Sequence, residues 1–285
     1  MIFWDYDNSQ ITLFVLKLDT IDLSKQLHSM YFIKHPFRTT KCLFLAPFLV
    51  FCACEVKDSP RVTLDSGLKT YFQLIQVGKT GSARVQLRQL MEHEGTTAQP
   101  LFLMGLSYHK EKKYTKAVEW FEKSTAFEEV QERYPPAWHF IGWSYYYLGD
   151  VEKSQIAFEQ FLEFHPDESD SLFALGLLSM ERGDLSQAED FYLRSIDVQE
   201  ENPKGQAKAM ARLGDVYVLE GSMNRAKEMY LKSVELDADL YEAWFHLSII
   251  QNRLLEVELG AFALQQSKQA RDRVLRSRYQ TRFPE

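Results

Sequence analysis

The chain has 285 residues, of which 45% are hydrophobic and 26% charged, a composition typical of an ordinary globular protein. These values exclude collagen-like, wholly disordered and polytopic membrane proteins. With 33 basic and 40 acidic residues the net charge is −7, which argues against nucleic acid as the main partner. The three cysteines, Cys42, Cys52 and Cys54, are clustered in the sequence, so a disulfide framework is not expected.

The amino-terminal part of the chain contains a segment with the organisation of a secretion signal. Residues 30–41 include basic but no acidic side chains, and an apolar stretch follows at 43–53. A helix needs about 20 apolar residues to span a bilayer, so this stretch is too short to cross one, whereas it has the length of a signal-peptide core. Its end, FCAC at 51–54, resembles a bacterial lipobox, with Phe51 where Leu is usual.

The resemblance to a lipobox implies that residues 30–53 are a signal peptide and that Cys54 becomes a lipidated amino terminus. Residues 1–29 would then be an upstream extension from a misassigned start codon, or else an unusual first part of the signal. Residues 54–65 are polar and would form a tether. The Glu after Cys54 favours a periplasm-facing location on the outer membrane. Two alternatives remain open: a buried helix or strand of a cytosolic protein, and a cleaved signal without lipid.

The remainder of the chain repeats one pattern of small and aromatic positions. A small residue is followed by an aromatic or apolar residue three positions later and by a small one at twelve. An aromatic or apolar residue follows at sixteen and a small or apolar one at nineteen. A degenerate first copy begins at Tyr71. Five clear copies begin at Gly105, Gly142, Gly176, Gly214 and Ser248.

This pattern resembles the tetratricopeptide repeat, W-x2-L-G-x2-Y followed by A-x3-F and Pro. The resemblance covers residues 66–275 and implies an all-α fold, a right-handed superhelical solenoid of antiparallel helix pairs. Glycine stands seven residues after the start of four copies, where we expect the turn between the two helices. A basic tail follows at 276–285. The implied repeats are about 64–97, 98–131, 135–168, 169–202, 207–240 and 241–275.

In this family the first helix of each repeat lines a concave groove, so the resemblance also implies the groove residues of this chain. They are Phe102, Leu106, His109, His139, Trp143, Tyr146, Tyr147, Phe173, Leu177, Arg212, Phe245 and Ile249. The groove would be aromatic at its start and mixed and charged toward the carboxyl end. Exposed aromatic side chains suit an extended peptide or a partner helix. The alternative is that neighbouring first helices bury part of this set as packing.

No sequence motif for catalysis accompanies the repeats. The chain after Cys54 contains no HExxH pair, no Cys/His cluster with metal spacing and no GxSxG motif. We therefore expect neither enzymatic activity nor a cofactor or metal. The sequence predicts a scaffold that binds a protein or peptide, tethered by lipid in the bacterial cell envelope, with envelope or pilus assembly as the implied setting. The alternative is a soluble cytoplasmic co-chaperone or regulatory adaptor without lipid. Nothing in the sequence indicates the oligomeric state.

Overall fold

The computed structural model describes residues 67–127, 136–199 and 202–282. The expected extension, the signal peptide, Cys54 and the polar tether lie outside these residues. The described residues form twelve helices and no strand. The first helices of the successive pairs are α1 (Lys69–Gln76), α3 (Ala98–Lys110), α5 (Pro136–Leu148), α7 (Ser169–Glu181), α9 (Pro203–Leu219) and α11 (Tyr241–Arg253). The second helices are α2 (Thr80–Glu94), α4 (Tyr114–Thr125), α6 (Val151–Phe164), α8 (Leu185–Asp197), α10 (Met223–Leu236) and α12 (Val257–Arg282).

The turn inside each pair depends on a residue with positive φ. The predicted turn glycines have φ of 78° or 79°: Gly78, Gly149, Gly183 and Gly221. In the other two pairs the equivalent residues are Lys112 and Leu255, with φ of 60° and 63°. A left-handed conformation costs a non-glycine residue about 1–2 kcal/mol, so packing of the flanking helices must impose these two turns.

Close approach of the two helices in a pair requires the small residue that begins each copy. A Cβ on Gly105 would lie 2.5 Å from the ring of Phe121, and a Cβ on Gly176 would lie 2.6 Å from the ring of Tyr192. The aromatic residue sixteen positions after each glycine is thus packed flat against the opposite backbone. The spacing of sixteen residues between the glycine and the aromatic residue therefore reflects this contact.

The residue nineteen positions after each start has a role beyond its small size. In four copies it is a serine whose hydroxyl donates a hydrogen bond of 2.7–3.0 Å to a carbonyl at the beginning of the first helix. Each bond joins a residue of the second helix that is far from the turn to the first turns of the first helix, so it fastens the two helices together at the end opposite the turn. The pairs are Ser124 with Ala98, Ser195 with Ser169, Ser233 with Ala207, and Ser267 with Tyr241.

The helix pairs stack in chain order. The second helix of each pair packs on the first helix of the next, from α2 on α3 to α10 on α11. Fully buried aromatic side chains fill the space between layers, among them Phe121, Phe158 and Tyr230. The predicted all-α helical repeat fold is therefore confirmed. None of the helices in the described ranges has the length and apolar character to cross a membrane.

Candidate binding groove

The predicted groove residues lie on the first helices α3, α5, α7, α9 and α11, but they differ in exposure. Tyr147 and Phe245 are exposed, at 38% and 46%. Five are partly exposed: His109, Tyr146, Leu177, Arg212 and Ile249. The other five are buried: Phe102, Leu106, His139, Trp143 and Phe173.

The expectation of exposure is therefore wrong for the five buried residues. The physical reason is that other helices cover them: the next first helix contacts Phe102 and His139, and the second helix of the same pair contacts Trp143 and Phe173. The ring of Phe102 on α3 lies 5.8 Å from that of Phe140 on α5, and Nδ1 of His139 on α5 lies 2.9 Å from the hydroxyl of Ser171 on α7. Trp143 packs edge-on against Phe158, 5.4 Å between centroids. These side chains stabilise the stacking of the repeats, and any binding role for them remains a prediction.

An aromatic cluster remains accessible at the carboxyl end of α5. Tyr147 stacks on Tyr114 of α4 with 4.7 Å between centroids and 22° between planes. Tyr146 lies edge-on to Tyr147 at 5.7 Å, and His109 lies 6.2 Å from the Tyr147 ring. Trp143 forms the floor, 6.0 Å from Tyr147. We call Tyr114, Tyr146 and Tyr147 with this floor the aromatic cluster.

The electrostatics of the aromatic cluster keep its groups neutral near pH 7. Burial raises the pKa of Tyr147 to about 12, with smaller contributions from Tyr114 and Tyr146. Burial, with a smaller contribution from the neighbouring His139, lowers the pKa of His109 to about 4. A ligand would therefore meet uncharged rings and phenol donors, the combination that aromatic binding surfaces use.

A charged region continues from the aromatic cluster along the next three first helices. Burial raises the pKa of Tyr146, and the nearby Glu181 of α7 raises it further. On α9, Arg212 pairs with Asp215 at 2.9 Å, and Tyr230 of α10 donates to the same carboxylate at 2.7 Å. We call Glu181, Arg212 and Asp215 the charged cluster.

The charged cluster reaches the last helix pair through Asp215. His246 of α11 lies 3.7 Å from this carboxylate and stacks on the Tyr230 ring at 5.6 Å. One surface thus passes through α5, α7, α9 and α11. Its change from aromatic to charged is the change that the sequence predicts.

A separate polar cluster is buried between α5 and α7. Glu168 accepts backbone hydrogen bonds from Asp170, at 3.2 Å, and Ser171, at 2.7 Å, and so caps α7. Burial raises the pKa of Glu168 and of Asp170, and it lowers the pKa of His139 to about 4. At neutral pH His139 is therefore uncharged and joins two repeats through Ser171.

Two parts of this surface are missing from the predicted set. Tyr114 is on a second helix, where the sequence analysis placed no groove residue, yet its ring stacks on Tyr147. Its signal is an aromatic residue at a position where the other clear copies have Val151, Leu185, Met223 and Val257. Glu168 is also missing from the set: its bonds to the backbone of Asp170 and Ser171 are local to the start of α7, whereas the approach of His139 to its carboxylate depends on how α5 and α7 stack.

The described helices show the structural class of the protein, which is a solenoid of stacked helix pairs. The first helices of these pairs present a continuous polar and aromatic surface. Family models described as tetratricopeptide repeat match residues 141–205 and residues 98–129 and 207–240. The chain thus contains tetratricopeptide repeats, a module that implies a protein-interaction scaffold. None of the curated protein sequences compared with it gives a match.

Solved structures of low sequence identity share the fold. A structure titled as the functional characterisation of Pseudomonas aeruginosa pilF is 17% identical, covers 71% of this chain and 89% of its own, and has a TM-score of 0.61. BtubC from P. vanneervenii is 13% identical, covers 72% and 92%, and has a TM-score of 0.58. MamA is 14% identical, covers 61% and 97%, and has a TM-score of 0.53. At these identities the likeness establishes the fold alone.

Proposed function

We propose that the protein is a non-catalytic scaffold that binds a peptide or helix of a partner protein along the aromatic and charged clusters. The observation that carries the proposal is the continuity of this surface. It runs from the ring of Tyr147, 38% exposed, through Tyr146, whose pKa is shifted by the nearby charges of Glu181 and Arg212, to the Arg212–Asp215 pair.

The two clusters supply different parts of recognition. Aromatic side chains contribute large contact areas with few rotatable bonds, so they anchor a ligand at low entropic cost. The Arg212–Asp215 pair is partly exposed, with side chains 30% and 17% accessible. Such a pair contributes orientation and association rate more than affinity. A ligand with an apolar residue followed by a polar or charged segment fits this order.

Replacing both Tyr146 and Tyr147 by Ala should remove most partner binding. The two rings make up the accessible part of the aromatic cluster, and anchor residues of this kind typically contribute about 2 kcal/mol or more each to a protein interface. The measurement is affinity capture from an extract of the source cells by the wild-type chain and by the double variant, with quantitative mass spectrometry of the captured proteins.

The matched control is Ile156→Ala combined with Leu193→Ala. These side chains are 54% and 48% exposed on second helices, away from the groove. The control should capture the same partners as the wild type. Equal loss in both variants, or unchanged capture by the Tyr146/Tyr147 variant, would contradict a partner site on the first helices.

We also propose that the scaffold is tethered by lipid at Cys54 and acts in the bacterial envelope, the outer membrane being favoured. The support is the sequence pattern alone: basic residues, a short apolar core and the FCAC segment that precedes a polar stretch. Several acyl chains on one cysteine would anchor a chain firmly, whereas a single chain anchors only marginally. A soluble cytoplasmic adaptor is the second candidate, favoured if Cys54 carries no lipid.

Cys54→Ala should abolish incorporation of radiolabelled palmitate, because the thiol that accepts the lipid is removed. Cys52→Ala is the matched control and should retain the label, since that residue would leave with the signal. The measurement is labelling of cells that express each variant, followed by precipitation of the protein. Absence of label in the wild type, or label that survives Cys54→Ala, would contradict the tether.

A further inference from the structure

One recurrent position of the first helices is buried in three repeats and exposed in the last. Phe102, His139 and Phe173 occupy it in α3, α5 and α7, and they are 4%, 8% and 5% exposed. Phe245 occupies it in α11 and is 46% exposed. A large apolar side chain at a position built for burial indicates a surface that accepts further packing.

In the first two of these repeats the following first helix contributes to covering this position. Phe140 of α5 covers Phe102, with 5.8 Å between ring centroids, and Ser171 of α7 approaches His139 at 2.9 Å. Among the described residues, no helix follows α12 to cover Phe245 in the same way. The occupant that fits this place is a helix, because a helix fills its equivalents.

A pocket of about 300 Å³ lies at this end of the solenoid. Phe245 and Leu264 provide apolar surface, and Lys268 and Arg271 of α12 provide positive charge. The full lining consists of Tyr241, Glu242, Phe245, His246, Leu264, Ser267, Lys268 and Arg271.

The pocket continues along one face of α12 as an extended stripe. Leu264, Lys268 and Arg271 are followed at helical spacing by Leu275 and Tyr279. Leu275 is 54% exposed and Tyr279 is 67% exposed. On this face the basic pair Lys268 and Arg271 is thus flanked by apolar residues, Leu264 before it and Leu275 and Tyr279 after it.

The repeat also fixes which end of a docked helix meets the positive charge. Arg271 corresponds in the repeat to His165, the residue at which α6 ends just before α7 begins. If a docked helix packed on α12 in the way that α7 packs on α6, its first residues would therefore lie near Arg271. A helix amino terminus carries partial positive charge, so acidic side chains are needed there to offset both the dipole and the arginine.

The occupant must therefore be acidic, and this argues against a second copy of the chain. The first helix of the described solenoid, α1, begins with Lys69 and has no acidic residue in its first turn. By contrast α7, which fills the equivalent place inside the solenoid, has Glu168 as its cap and Asp170 in its first turn. From these observations we infer that the pocket of Phe245, Lys268 and Arg271 docks an amphipathic helix of a partner protein with an acidic amino-terminal turn.

The test uses two peptides from the chain's own first helices as probes. The acidic probe is residues 166–181, PDESDSLFALGLLSME, and the basic probe is residues 202–218, NPKGQAKAMARLGDVYV. Both carry the packing face of the repeat, and both are held helical by a lactam bridge on the polar side because short isolated helices are marginal. Binding of each to the full chain is measured by fluorescence anisotropy and by titration with salt.

The acidic probe should bind at least about tenfold more tightly than the basic probe, and added salt should weaken it. Phe245→Asp and Lys268→Glu/Arg271→Glu should each reduce its affinity by about tenfold or more. The matched charge control, Arg88→Glu/Lys116→Glu, changes exposed residues in the first two described pairs and should leave binding unchanged. Melting curves of all variants verify that the helices remain folded.

Four results would overturn the inference. Equal binding of the two probes would remove the acidic preference, and binding that survives Phe245→Asp and the double charge reversal would place the probe elsewhere. Sedimentation of a dimer that Phe245→Asp dissociates would show that a second copy fills the pocket. Cosedimentation with vesicles of anionic phospholipid that needs Lys268 and Arg271 but not Phe245 would assign the face to a membrane. The Tyr146→Ala/Tyr147→Ala variant should bind the probe normally, because the aromatic cluster lies on α4 and α5 and does not line this pocket.

Discussion

Gly142→Ala should lower the free energy of unfolding by about 3 kcal/mol, the upper range for overpacking in a rigid core. The added Cβ would lie 2.7–2.8 Å from three atoms of the Phe158 ring. That ring is 0% exposed and packs against Trp143 and His139. Since it has no free space to move into, α5 and α6 must separate. Urea unfolding followed by circular dichroism measures the loss.

Gly81→Ala is the matched control for this substitution. Gly81 lies in α2, and a Cβ there would meet nothing within 4 Å. Alanine is the better helix former by about 1 kcal/mol, so this variant should be slightly more stable than the wild type. If Gly142→Ala were as stable as Gly81→Ala, the close approach of α5 and α6 would be wrong.

Trp143→Ala should destabilise the protein by about 3 kcal/mol or more, as is typical when a buried tryptophan is truncated. Trp143 is 9% exposed, lies 5.4 Å from Phe158 between ring centroids and forms the floor beneath Tyr147. Its loss leaves a cavity between α5 and α6. Thermal and urea unfolding should both show the effect.

Tyr147→Ala provides the comparison on the same helix. Its side chain is 38% exposed, so truncation removes less buried area and should cost less than about 1 kcal/mol. Partner capture should show the reverse order. Relative to the stability that each variant loses, Tyr147→Ala should lose more partner binding than Trp143→Ala. If Trp143→Ala were stable but no longer captured partners, Trp143 would be part of the binding surface.

The contacts and turns within one helix pair could be predicted, because they depend on short residue spacings that recur in each copy of the repeat. The contact of Gly142 with Phe158 needs a glycine and an aromatic residue sixteen positions apart, and both are visible in the sequence. The turn at Gly149, with φ of 78°, is equally local. Lys112 and Leu255 show the limit of this reasoning, because their positive φ is imposed by the neighbouring helices and not by the residue.

The candidate site could be predicted only as a set of positions on the first helices. The hydrogen bond between His139 and Ser171 spans 32 residues, and the contact of His109 with Ser144 spans 35. Such contacts depend on how one repeat stacks on the next, which the pattern inside a repeat does not encode. The approach of His139 to Glu168 was missed for the same reason.

The sequence by itself determined the helix pairs and their turns, because these follow from contacts within one repeat, and the resemblance to the tetratricopeptide repeat implied which helix of each pair faces the groove. Only the tertiary structure decided which side chains on that face meet solvent. Phe102 and Phe245 share one position in the repeat, yet they are 4% and 46% exposed. The difference arises because a following helix removes the first from water, whereas the second lies at the described end of the stack, where burial depends on a neighbour.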